Sequence, residues 1–75
     1  MAKGYNGWKN WETWNVALWI NNDEGLYNLA KECNDYSEML ECIRECASKT
    51  TPDGCHWDDD RIDFREINDM ILDIR

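Results

Sequence analysis

Residues 6–23 read NGWKNWETWNVALWINND and place four tryptophans in eighteen positions of a chain that is otherwise polar and acidic. Aromatic rings dominate both cores and interfaces, so this stretch is either the anchor of the fold or its contact surface. Asn10 has the chemistry of an N-cap, its side-chain oxygen accepting from an amide of the first turn, and Glu12 follows where negative charge suits the helix dipole. The spacing predicts a helix over residues 11–21. At 100° per residue, Trp11, Trp14 and Leu18 line one face with Ala17 beside them, while Val16, Trp19 and Ile20 fall on the other. A helix apolar nearly all round is normally buried, which makes it the element that the rest of the chain packs around. Trp11 and Trp14 are therefore expected in the core, leaving Trp8 and Trp19 as exposed aromatics.

Three more helices follow from local signals. Asn21, Asn22 and Asp23 break the first pattern and offer a cap, after which Leu26, Leu29, Ala30 and Cys33 mark one face of a helix over residues 24–33. Asp35 with Glu38 three residues on has the form of a capping box, opening a third helix that carries Met39, Leu40, Ile43, Cys46 and Ala47 inward. Lys49-Thr50-Thr51-Pro52-Asp53-Gly54 is the clearest turn, because proline fixes φ and glycine admits φ > 0. Ile62, Asp63, Glu66 and Ile67 combine a capping box with a hydrophobic staple, so the last helix starts near Phe64 and buries Ile67, Met70, Ile71 and Ile74. The fold class is all-α: a compact bundle of four short helices in one domain over residues 1–75, with an irregular N-terminal segment (residues 1–9) and an acidic loop (residues 49–62). A short extended piece fits residues 55–57.

A chain of 75 residues buries only about 60% of the surface its unfolded form exposes. Burying one tryptophan removes roughly 150–250 Å² from water, a gross gain of roughly 4–6 kcal/mol, so two or three such rings decide whether the chain folds. The formal charge is −8 and lies mostly in the second half: residues 35–75 carry −7 of it. That balance argues against a partner bound through its phosphates, and against an anionic membrane surface. The N-terminus has no signal-like apolar run, which favours a soluble intracellular protein whose cysteines stay reduced rather than paired as disulfides.

Among constellations that carry chemistry, Cys42 and Cys46, one helical turn apart, combine with Cys55 and His56 into a four-ligand zinc set. The spacing differs from close Cys-x₂₋₄-Cys knuckles, and packing as small apolar side chains explains Cys33 and Cys46 more simply. A cysteine nucleophile with His56 lacks any oxyanion donor array. The run from Asp58 to Asp63 lacks the glycine and terminal glutamate of an EF-hand. The reading is no enzyme, no cofactor and no metal site. What remains is the acidic stretch 53–73, where eight carboxylates face Arg61 and Arg65 for a net charge of −6. Trp57, Asp58, Asp59, Asp60 and Asp63 are the expected partner contacts, an aromatic anchor in a charged surround.

The stretch YNGWKNWETWNVALWINNDEGLYNLA, residues 5–30, resembles a family of small proteins encoded by bacteriophages, notably cyanophages, and by related mobile elements. Its members share an Asn-aromatic-Glu-Thr-Trp core followed by an apolar helix. The resemblance implies a phage origin and expression in the cytoplasm of an infected bacterium; it carries over no catalytic or binding residue. Trp11 stands where tyrosine is common in the relatives. The expectation is an acidic interaction protein that binds and modulates a host bacterial protein, such as a nucleic-acid enzyme with a basic surface, without touching nucleic acid or membrane itself. The alternatives are a self-associating assembly protein that uses Trp8 and Trp19, and a small zinc-stabilised module.

Overall fold

Four side-chain caps set the element boundaries. The computed structural model describes residue 5, residues 7–46 and residues 49–74. Its helices are α1 (Trp11–Asn22), α2 (Glu24–Glu32), α3 (Tyr36–Cys46) and α4 (Phe64–Ile74), within two residues of the sequence expectation at every end it fixed. Asn10 Oδ1 accepts the Thr13 N–H (2.9 Å) and starts α1. Asp23 both ends α1, its N–H donating to the Trp19 carbonyl, and starts α2, its carboxylate accepting from Leu26 N (3.0 Å). The two helices are thus joined through one residue. Asp35 accepts from Glu38 N (2.9 Å), and Glu38 reaches back to the Asn34 N–H (3.2 Å). Asp63 accepts from Arg65 N and Glu66 N, with Ile62 and Ile67 both buried beside it as a staple requires.

No residue from Trp11 to Ile20 is exposed, but among the described residues α1 packs on α2 and α4 and not on α3, so it is not the central element expected from its sequence; α2 and α4 each touch all three other helices. The face it turns inward also differs from the one expected. Thr13, Val16, Ala17 and Ile20, spaced i, i+3, i+4, i+7, are buried, while Trp11, Trp14 and Leu18 are half-buried flanks. Small side chains on the inner face let neighbouring helices approach closely, and the large indoles cover the sides. The buried tryptophan is Trp57, at 4% exposure, in one core cluster with Tyr36, Met39, Leu40, Ile43, Ile67 and Ile71. Two further expectations change. Cys46 is exposed at the end of α3, and Ala47 lies outside the described residues.

The segment between α3 and α4 folds back on itself as a short hairpin. Thr51 N donates to Cys55 O (2.8 Å), Gly54 N to Thr51 O (2.9 Å) and Trp57 N to Lys49 O (3.2 Å), with Gly54 at φ +91° closing the three-residue loop. Alternation then follows: Cys55 and Trp57 point into the core and His56 points out. A second tight turn stands in the N-terminal segment, where the sequence predicts irregular chain. Tyr5 and Trp8 exchange both backbone hydrogen bonds across Gly7 (φ +90°), which lays the Tyr5 ring on Trp14 with centroids 4.8 Å apart. Residues 1–4 and 6 of that segment lie outside the described residues.

Two polar contacts lock this arrangement from inside. Thr13, at 0% exposure, donates its hydroxyl to Asn10 Oδ1 (2.6 Å) and accepts the Asp63 N–H (2.9 Å), while Asn10 Nδ2 donates to Arg61 O. The starts of α1 and α4 are thereby tied side by side. Asn15, also at 0%, accepts from Thr51 Oγ1 (2.6 Å) and donates to Asp53 Oδ2 (2.8 Å), tying α1 to the hairpin. Thr13→Val keeps the side-chain shape but strands the Asp63 N–H, so it should cost about 1–3 kcal/mol. Thr13→Ser should recover most of that in urea denaturation, whereas equal losses for both would show that packing and not the hydroxyl matters.

Candidate interaction surface

The residues expected to meet a partner divide sharply once placed. Trp57 is a core residue and not a partner contact: it is 4% exposed, its carbonyl accepts from the Tyr36 hydroxyl (2.5 Å), and it belongs to the buried core cluster. Asp59 is folded onto Arg61, which gives it the Arg61 N–H (2.8 Å) and two guanidinium bonds (3.0 and 2.9 Å). Those bonds hold the Asp59 carboxyl below the usual carboxylate range. Arg61 also pairs with Glu12 (3.1 Å), so it is shared between the loop and α1. Asp63 is spent on capping α4. Asp58 and Asp60 keep exposed carboxylates, and Asp58 lies 3.7 Å from Arg44.

A second acidic surface, beyond the expected contact residues, is on α4. Glu66, Asp69 and Asp73, spaced i, i+3, i+7, share one helix face, and with Gly7, Trp8 and Met70 they line a groove of about 340 Å³. Trp8 enters that groove because the Tyr5–Trp8 turn folds the N-terminal segment against α4, where Glu66 Oε1 accepts the Lys9 N–H (2.8 Å). Asp69 and Asp73 are exposed. One helical turn from Asp69, Leu72 is 60% exposed, the most exposed large apolar side chain among the described residues. The α4 outer face therefore joins carboxylates to an aliphatic group and a half-buried indole. Trp8 and Trp19, expected outside the core, are both half-buried against it; Trp19 Nε1 donates to Asp53 Oδ2 (2.9 Å).

The cysteines are free thiols, with Cys42 neighbouring Cys33. Cys55 is buried, its Sγ directed at the Glu12 and His56 carbonyls, and burial followed by the negative charge of Asp59 and Glu12 pushes the thiol up to about 11. Burial likewise raises Cys33 to about 11, with the neighbouring Cys42 and then Glu38 adding to it. Such thiols hold little thiolate at neutral pH and are poor nucleophiles. Cys42 is half-buried on α3, Cys46 exposed at its end and His56 exposed on the hairpin, so the proposed zinc set is not gathered. Among the described residues no group of three or more His, Cys, Asp or Glu side chains is placed to hold a metal ion, and no helix is long and apolar enough to cross a membrane.

The Asn-aromatic-Glu-Thr-Trp run at residues 10–14 is structural at each position. Asn10 caps, Trp11 flanks the core, Glu12 pairs with Arg61, Thr13 locks α4 and Trp14 receives Tyr5. Residues 1–75 match the profile of a family of unknown function. The chain belongs to DUF7249. No curated protein and no solved structure matches it. Membership in DUF7249 thus places the whole chain in one family and assigns no site, which leaves the surface geometry as the guide to function.

Asp53 offers a check on the hairpin lock. Its carboxyl is held below the usual range by the Asn15 hydrogen bond and then by the Trp19 indole. With the folded value depressed, this contribution is present above the unfolded value of about 3.9 and is lost as the pH falls through the folded one. The Trp19 indole N–H resonance should therefore move with acidification below about pH 4. In Asp53→Asn that titration should vanish; its persistence would assign the shift to another carboxylate.

Proposed function

We propose that this is an acidic interaction protein that receives a basic segment of a partner protein along the outer face of α4. The observation that carries the reading is the groove in which Trp8 stands beside Glu66, Asp69 and Asp73. A lysine or arginine entering it would meet carboxylates on one wall and an indole on the other, an arrangement suited to cations. Leu72 supplies apolar contact beside the groove, and Asp58 and Asp60 extend the negative field. Complementary charge of this kind speeds encounter and selects the partner's sign. The same field repels phosphates, which supports a protein rather than a nucleic acid as the direct ligand.

The fuller proposal rests on the resemblance of residues 5–30 to phage-encoded proteins: a phage origin, action in the cytoplasm of an infected bacterium, and a host target with a basic surface such as a nucleic-acid enzyme. Binding rather than catalysis is the proposed activity. The high thiol values of Cys33 and Cys55 support that choice. Self-association through Leu72 is the second reading, favoured by the exposure of that side chain.

The test is capture from bacterial lysate with wild type and with Asp69→Lys/Asp73→Lys, at low and high salt. A stoichiometric protein held by wild type at low salt, and reduced at least tenfold by the charge reversals, is the expected outcome. Undiminished capture by the variant would remove α4 as the contact. Sedimentation that shows a concentration-dependent dimer, abolished by Leu72→Glu, would favour the second reading.

A further inference from the structure

On the hairpin side of the molecule two cationic side chains converge on one opening. A cavity of about 420 Å³ opens between the second half of α3 and the hairpin, sharing no lining residue with the Trp8 groove. Leu40, Ile43 and Trp57 provide its apolar surface, while Arg44, Lys49 and His56 bring cationic or protonatable groups to the same opening. The sequence has eight lysines and arginines and one histidine against sixteen acids, so this convergence runs against the composition. One carboxylate, Asp58, is also present and lies 3.7 Å from Arg44, a long and exposed pair that leaves the guanidinium accessible. Lys49 makes no ion pair with any described residue.

The placement follows from the fold. Trp57 N donates to Lys49 O, which fixes Lys49 across the hairpin from Trp57, and alternation turns His56 outward beside them. Arg44 comes from α3, one residue after the buried Ile43. A second observation marks Trp57 itself: it is 4% exposed, yet its indole N–H has no hydrogen-bond partner. That N–H is shielded from solvent by protein atoms, so it serves as a reporter of the cavity wall and not as a contact of the ligand.

We propose that this cavity binds a small organic anion, an apolar ring bearing a carboxylate or phosphate, with the ring on Trp57, Leu40 and Ile43 and the anionic head at Arg44 and Lys49. A volume of this order lies in the range of ligand pockets, which are mostly apolar with a few convergent polar groups. Guanidinium suits both heads because its forked donors match their paired oxygens. The protein's −8 charge opposes the approach of an anion, but at physiological ionic strength that field is screened beyond about 8 Å, while contacts inside the cavity are shorter.

The experiment is a ¹⁵N–¹H titration of the intact protein, following the Trp57 indole N–H assigned by triple resonance. The probes are phenylacetate and phenyl phosphate, with benzyl alcohol as a neutral counterpart. The expected result is a saturable shift for at least one anion, with affinity at least fivefold tighter than for benzyl alcohol. Arg44→Ala/Lys49→Ala, two exposed positions whose loss leaves the core intact, should weaken it at least fivefold while the remaining spectrum stays dispersed. The proposal is overturned if neither anion saturates below about 10 mM, if the alcohol binds equally well, or if the double variant binds like wild type. The last outcome would also exclude binding in the neighbouring apolar cavity bordered by Trp19 and Leu26 from being counted in its favour, since Trp57 lines both.

Discussion

The hydroxyl of Thr13 holds two chain segments fifty residues apart, giving its proton to Asn10 and taking the Asp63 N–H. Each of those partners is itself a helix cap, so one buried oxygen fixes where α1 begins, where α4 begins and how the two lie together. Remove it and the cap of α4 loses its anchor at the place where the acidic loop must stop. The remaining packing is consistent with this constraint. Val16, Ala17 and Ile20 continue the face that Thr13 starts, and Ile67 and Ile71 are buried from α4. A chain this small has few apolar residues to spare, and an oriented polar contact narrows the set of packings that those residues could otherwise adopt.

Asn15 does the corresponding work on the hairpin side. Its amide accepts from Thr51 and donates to Asp53, and Thr51 Oγ1 in turn receives the Cys55 N–H. The hairpin consequently sits against α1 with its turn held at two points, and Cys55 and Trp57 are directed inward. Tyr36 then closes the core over Trp57, bonding its carbonyl and meeting Phe64 edge-on at 5.0 Å. Burial holds the Tyr36 phenol protonated far above its ordinary range, so this bond persists throughout the neutral region.

The helices were legible in the sequence because the signals that start them are local: Asn10, Asp23, Asp35 and Asp63 are each followed by an amide that the side chain can reach within three residues. The inner face of α1 was not, since hydrophobicity ranks Trp11 and Trp14 above Thr13, and the partner that satisfies Thr13 stands at Asp63. Trp57 was misplaced for a related reason. Its acidic neighbours suggested a surface, whereas the decisive fact is the backbone pairing with Lys49 that fixes which way the ring points. Of the surface now favoured, the Glu66, Asp69 and Asp73 spacing was visible, and the Asn-Gly dipeptide at residues 6–7 was a hairpin signal available to be read. What no local pattern carried was the approach of Trp8 to α4.

The division of labour along the chain bears on where specificity resides. Residues 10–14 are engaged in capping, pairing and packing, and expose little beyond the sides of half-buried rings. Exposed charge lies instead on α2, α3, the hairpin and α4, attached to a scaffold that those residues hold in place. Asp69, Leu72 and Asp73 are exposed, so that surface can vary while the fold is retained. Substitution of Asn10, Thr13 or Asn15 strands a buried donor or acceptor and acts on every surface at once. A change of binding caused by either group is therefore interpretable only alongside a measurement of stability: the α4 variants should lose partner capture at unchanged stability, and the α1 variants should lose both together.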